Sequence, residues 1–187
     1  MTNIAIFASG EGTNAENLMS YFNNHKLIKV KMVVTNNESA GVVARSDKFK
    51  KTVQIISKHA FNEYTHQFIE FLKAEKINLI VLAGFLLKIP EPFVKAFPNQ
   101  IINLHPSLLP KFGGKGMYGM HVHEAVIQAG ETESGITIHY VNEEYDKGDI
   151  ILQAKCDINE TDTPQSLALK IRQLELEYLP KAIEQLA

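Results

Sequence analysis

The chain has 187 residues, 45% of them hydrophobic and 21% charged, with a formal net charge of −2. Those values fit an ordinary globular protein with a sizeable core and exclude a uniformly basic nucleic-acid binder, so no nucleic-acid partner is expected. Cys156 is the single cysteine, which excludes an intramolecular disulfide and a zinc site of several thiolates. No apolar run approaches the ~20 residues of a bilayer span, and the opening M-T-N-I-A-I-F-A-S-G has no basic leader. A cytoplasmic location without membrane contact is the expectation.

Asn3 to Ala8 reads as a buried strand, and Ser9-Gly10-Glu11-Gly12-Thr13-Asn14 as the turn after it. Ala15, Leu18, Met19 and Phe22 then recur at helical spacing on one face. Strand, glycine-bearing turn and helix start present backbone N–H groups and a positive dipole end to an anion, with phosphate the natural guess. The same glycines also suit a tight β–α turn with no ligand. Lys29 to Thr35 is a second strand, followed by Asn36-Asn37 and only then Glu38. An acidic residue that would hold a ribose is one step late, which argues against a nicotinamide cofactor.

The alternation continues. Ala40 to Phe49 is a predicted helix and Thr52 to Ser57 a strand. Phe61, Tyr64, Phe68 and Phe71-Leu72 mark one amphipathic helix, and Asn78 to Ala83 an apolar strand. Gly84 to Pro90 leaves that strand as a largely apolar segment, read either as core packing, which is favoured, or as the lining of a pocket for a flat ligand. Glu91 to Phe97 is a short helix with Pro92 in its first turn.

Ile101 to Pro110, I-I-N-L-H-P-S-L-L-P, starts as a β-branched strand in which Asn103 and His105 project from one face. Pro106 ends that strand, and Pro110 is expected to keep the next segment extended. An amide and an imidazole at a strand end suit carbonyl polarisation and proton transfer, although such pairs are also common as structural hydrogen-bonding groups. Lys111 to Met120 carries four glycines and reads as a mobile loop and a candidate lid. His121 and His123 open the helix His121 to Ala129. Their spacing splays the rings apart, so no metal site is expected and both read as surface polar residues, one of them a candidate to lie near substrate.

Ser134 to Val141 alternates as a strand, Asn142 to Gly148 is a polar loop holding Asp146, and Asp149 to Cys156 is the next strand. Asp146 sits in an ordinary D-K-G turn that could also reach a neighbouring imidazole. Thr163 caps a last helix with Pro164 at its first position, Leu167, Ile171, Leu174 and Tyr178 along one face, and Pro180 predicted to end or kink it. The fold class is therefore α/β: one Rossmann-like domain over residues 1–187, with a mostly parallel central sheet, helices on both faces and a C-terminal antiparallel extension. In such a sheet, ligands belong at the carboxyl ends of the strands, where the Ser9 turn, the Gly84 segment and His105 all fall.

I-I-N-L-H-P-S-L-L-P-K, S-G-E-G-T-N, L-A-G-F, G-I-T-I-H-Y-V and the D-x-G of Asp146-Lys147-Gly148 together resemble the phosphoribosylglycinamide (glycinamide ribonucleotide) formyltransferase family across nearly the whole chain. The resemblance implies transfer of the formyl group of 10-formyltetrahydrofolate, a co-substrate, to the amine of glycinamide ribonucleotide in purine biosynthesis, with no metal. It implies a phosphate-binding N-terminal half and a folate-binding, catalytic C-terminal half. Asn103, His105 and Asp146 match the catalytic trio, and Gly12, Thr13 and Asn14 the phosphate turn. Leu86, Leu87, Lys88 and Ile89, with Asn103, match the folate contacts, and Glu175 a contact to the glycinamide substrate. Two departures stand out: Leu87 where the family often has arginine, and a longer glycine-rich stretch, Gly113 to Gly119, in place of a short P-G turn. Relatives acting on methionyl-tRNA or hydrolysing the formyl folate carry further domains for which this length leaves no room.

On that mechanism the substrate amine attacks the formyl carbon directly. Asn103 and a protonated His105 hydrogen-bond the oxyanion, while Asp146 orients His105 and raises its pKa. Ser107 has no base evidently placed beside it and is not expected to be a nucleophile.

Overall fold

The computed structural model describes residues 1–186. Its strands form one seven-stranded sheet in the order β3-β2-β1-β4-β5-β6-β7, and the chain divides within β5 into two compact units, Met1–Ile102 and Asn103–Leu186.

In the first unit β1 (Thr2–Phe7) lies between β2 (Ile28–Thr35) and β4 (Leu79–Leu82), with β3 (Thr52–Ile55) beyond β2; every pairing is parallel. Ile4 to Phe7 and Leu79 to Leu82 are buried on both faces, which is why their sequences are continuous apolar runs and not alternating ones. The helices are α1 (Thr13–Tyr21), α2 (Gly41–Lys48), α3 (Lys58–Glu63), α4 (Thr65–Ala74) and α5 (Glu91–Ala96). Phe7 anchors an aromatic core, its ring 6.5 Å from Phe61, 6.2 Å from Phe68, 5.2 Å from Phe85 and 6.1 Å from Phe93. Such edge-on packing adds to the burial energy of each ring.

The single helix expected around Phe61 to Leu72 is instead two. Tyr64 leaves helical geometry at φ −108°, ψ 29°, and the Thr65 hydroxyl donates back to the carbonyls of Phe61 and Asn62. The hydroxyl competes with the helical ladder there. The break lets Phe61 and Phe68 both face the core while Tyr64 turns outward.

In the second unit β5 (Ile101–His105) supplies its last residues, and β6 (Glu133–Tyr140) and β7 (Ile150–Asp157) form an antiparallel hairpin from Glu133↔Asp157 to His139↔Ile150. Here α6 (Met120–Gln128) and α7 (Pro164–Leu186) pack on one another, and α7 covers β6 and β7. The predicted alternation of β6 is overturned, because Ser134 to His139 are all buried. Leu109 and Pro110 are joined by a cis peptide in a turn closed by Lys111 N–H to Leu108 O at 3.1 Å, in place of the expected extended segment.

The start of α7 follows its sequence. Thr163 Oγ1 accepts the Ser166 N–H at 3.2 Å, and Ser166 Oγ accepts the Thr163 N–H at 2.9 Å, a reciprocal cap. Its end does not. The helix continues through Pro180 to Leu186, held by the complete burial of Leu179 just before the proline and of Ala182 and Ile183 beyond it.

Candidate active site

Asn103 and His105 leave β5 on the same face, two residues apart. Asp146 comes from the β6–β7 loop in the left-handed region at φ 54°, which aspartate tolerates better than most residues. The three side chains meet. Asn103 Nδ2 lies 3.4 Å from Asp146 Oδ1, and His105 Nδ1 lies 3.7 Å from Asp146 Oδ2. The Gly114 N–H donates to Asp146 Oδ2 at 2.8 Å, fixing the carboxylate from its other side. That contact makes the glycine-rich stretch part of the site's wall.

His139, on β6, completes the group. Its Nδ1 faces the Tyr140 carbonyl at 2.8 Å, so Nδ1 carries the proton and Nε2 is left as an acceptor. That Nε2 accepts from Asn103 Nδ2 at 3.1 Å and lies 3.6 Å from Asp146 Oδ1. The two hydrogens of the Asn103 amide are thus divided between an imidazole and a carboxylate. His105 Nε2 faces the Phe112 carbonyl at 2.8 Å and must donate to it.

His105 is 3% exposed, and its pKa falls below the ordinary value. Burial is the largest cause and His139 adds to it; the Asp146 charge and the Phe112 carbonyl pull the other way. Asp146 lifts the His105 pKa as expected, but desolvation outweighs it and the net value falls. The geometry still favours the cation locally, since each ring nitrogen faces an acceptor. Burial pushes the Asp146 carboxyl up, but the neighbouring imidazoles of His139 and His105 and the Gly114 N–H carry it below its ordinary value. It is ionised at neutral pH.

Other histidines of the sequence separate. His121 is exposed beside Glu124, whereas His123 is 6% exposed on the buried side of α6 with Val122 and Val126, and its Nδ1 has no partner among the described residues. The surface reading of His123 is wrong because the helix is rotated to bury it. Ser107 is fully buried and its hydroxyl donates to the Lys111 carbonyl at 2.8 Å. Among the described residues no group of three or more His, Cys, Asp or Glu side chains is arranged to hold a metal ion.

In the first unit Gly12 precedes α1 at φ 74°, with no side-chain cap over the helix start. A Cβ there would come within 2.5 Å of Val42 Cβ, so both the backbone and the packing require glycine. Thr13 and Asn14 form the first turn, half-buried. The acidic Glu16 behind them is neutralised by Arg45 and Lys48. Of the Gly84 to Pro90 segment Ile89 is buried and Phe85 packs against Phe7 and Phe61, while Leu86 and Lys88 are exposed and Leu87 half-exposed, so core packing describes only part of it. Glu175 is half-buried midway along α7.

His139 is the side chain that reading the sequence missed. Its signal was its place near the carboxyl end of an apolar strand, the same rule that singles out His105. The Phe112 carbonyl and the Gly114 N–H have no sequence signal, since every residue carries them.

A seven-stranded, mostly parallel sheet with an antiparallel C-terminal hairpin, and an amide, an imidazole and a carboxylate gathered at the end of β5, define an α/β scaffold with a polar cluster at a strand end. Residues 2–183 match the formyl transferase family, and the chain belongs to it. Within that family the chain is similar to proteins named phosphoribosylglycinamide formyltransferase. It is 38% identical over 173 residues to the chloroplastic protein of Arabidopsis thaliana, covering 90% of this chain and 59% of that one. It is 33% identical over 195 residues to the Bacillus subtilis protein, covering 100% and 95%. The chain thus spans about six-tenths of the length of the plant relative and nearly all of the bacterial one. The crystal structure of phosphoribosylglycinamide formyltransferase from Bacillus halodurans superposes with a TM-score of 0.87 at 35% identity, covering 99% of this chain and 95% of that one.

Proposed function

We propose that the protein transfers the formyl group of 10-formyltetrahydrofolate to the primary amine of glycinamide ribonucleotide, one step of purine biosynthesis. The observation that carries the reading is the meeting of Asn103, His105 and Asp146 at contact distances of 3.4 Å and 3.7 Å in a member of this family. The turn Gly12-Thr13-Asn14 takes the ribonucleotide phosphate, as a helix start without a side-chain cap suits an anion. Leu86, Leu87, Lys88 and Ile89 receive the folate, and Glu175 contacts the glycinamide end.

In the reaction the attacking amine turns the formyl oxygen into an oxyanion. Asn103 gives up its longer hydrogen bond, 3.4 Å to Asp146, and turns that hydrogen to the oxygen, while the bond to His139 keeps the amide oriented. His105 takes a proton from solvent as the negative charge of Asp146 and the developing oxyanion together overcome the cost of burial, donates the second hydrogen bond, and returns that proton to solvent once the oxyanion has collapsed. Asp146, ionised, accepts the amine proton, directly or through one water, for delivery to the leaving folate nitrogen.

Mixing the protein with a 10-formyl folate analogue and glycinamide ribonucleotide tests this through the folate absorbance. Turnover should require both compounds. His105→Ala should lower it by about 10²–10³, the usual loss for one oxyanion donor. Folate release without the ribonucleotide would show a hydrolase instead, and near-normal turnover in His105→Ala would remove the assigned role.

A further inference from the structure

Ser9 closes β1 and is 8% exposed, yet it belongs to neither group of substrate contacts assigned above. Its backbone N–H donates to the Gly84 carbonyl at 3.0 Å. Its hydroxyl accepts the Leu86 N–H at 2.9 Å and donates to Asn36 Oδ1. One residue therefore fastens the segments that follow β1, β2 and β4. Both functions of the hydroxyl are in use, so its orientation is set from two sides. Gly84 turns at φ 78°, placing its carbonyl and the Leu86 N–H around the same serine.

We infer that Ser9 is a positioning residue that couples the two substrate subsites, so that a phosphate ester at the Gly12 turn and a pterin-type ring at the Leu86 segment bind cooperatively. The inference rests on the proposed function. Gly10 to Asn14 follows Ser9 directly, and the Gly10 carbonyl is itself held by the Val42 N–H at 3.2 Å. An anion that orders this turn fixes Ser9. Fixing Ser9 fixes the Leu86 N–H, and with it the start of a segment whose Leu86 side chain is 60% exposed. The second ligand then meets a segment whose ordering the first has already supplied, which is positive coupling without a large movement. Coupling is reciprocal, so the effect is the same whichever ligand binds first.

The test is calorimetric titration of the whole protein with a folate analogue that has no transferable formyl group, with and without saturating glycinamide ribonucleotide. The wild-type affinity should rise at least about fivefold when the ribonucleotide is present, the lower end of ordinary coupling. Ser9→Ala should bring that ratio near one, because it removes the Leu86 acceptor. Ser9→Thr, which keeps the hydroxyl, should retain the coupling, a rescue that a merely structural role would not predict. Asn36→Ala, which removes the partner that orients the hydroxyl, should lower the ratio and provides a second variant should Ser9→Ala not fold. Binding of both ligands to the wild type with a ratio near one, or an undiminished ratio in Ser9→Ala, would overturn the inference alone. Failure of either ligand to bind the wild type would overturn the functional reading and this inference with it.

Discussion

Asn103 has two amide hydrogens, and both are engaged, one by His139 and one by Asp146. A donor that must exchange partners during the reaction depends on the partner that stays. His139 is that partner: its Nδ1 is tied to the Tyr140 carbonyl, so its Nε2 can only accept. His139→Phe keeps a ring of similar size but removes the acceptor, leaving Asn103 free to rotate. A lost hydrogen bond of about 1.4 kcal/mol, felt in the transition state, lowers kcat about tenfold. KM for the ribonucleotide should change little, because the phosphate turn is untouched. Steady-state kinetics on the variant checks this, and a loss confined to KM would show that His139 serves binding instead. Asp146→Asn addresses the other end. It should keep the Gly114 N–H contact through the amide oxygen while removing the charge that favours protonated His105, so folding is retained and turnover falls.

Turns between elements place these side chains, and two glycines show how tightly. Gly148 ends the turn that holds Asp146, and a Cβ there would lie 1.7 Å from the Tyr140 carbonyl oxygen. Tyr140 is also the acceptor that sets His139. Gly148→Ala therefore has to displace the hairpin carrying Asp146 and the carbonyl orienting His139 together. We expect a stability loss of at least about 1 kcal/mol by denaturant unfolding, with turnover reduced even at temperatures where the variant is folded. Gly12→Ala adds a left-handed backbone cost of about 1–2 kcal/mol to its clash with Val42, and it should raise the KM for the ribonucleotide more than that for the folate. The same elements show what the sequence could reveal. Buried parallel strands are legible as unbroken apolar runs, glycine and proline mark their ends, and Asn103 and His105 followed from a period of two. The break at Tyr64, the continuation of α7 past Pro180 and the burial of His123 were not legible. Each depends on what a helix packs against, and the chain's local pattern does not carry that information.

At the scale of the whole molecule, two buried imidazoles connect the site to stability. His105 and His123 both have pKa values pushed below the ordinary 6.5, in each case chiefly by burial. The unfolded chain takes up these protons more readily than the folded one. Their contribution is therefore fully present above about pH 6.5, and it is lost progressively as pH falls from there towards the lowered folded values. Asp146 acts in a separate, more acidic window. Its folded pKa lies below the ordinary 3.8, so its contribution is present above that pH and lost as pH falls through the folded value. Thermal unfolding followed from pH 8 downward should show a first decline beginning near pH 6.5 and a steeper one in the carboxylate range. The two histidines can be told apart by substitution. His123→Leu keeps an apolar group on the buried face of α6 and removes an imidazole whose Nδ1 lacks a partner, so stability at pH 7 should hold or rise, and the first decline should become shallower. Turnover should keep its pH profile, since His105 remains. If the first decline is unchanged in His123→Leu and disappears in His105→Gln, the acid sensitivity belongs to the site alone. If it becomes shallower in both, the protein carries two independent buried bases, one of them serving only the fold.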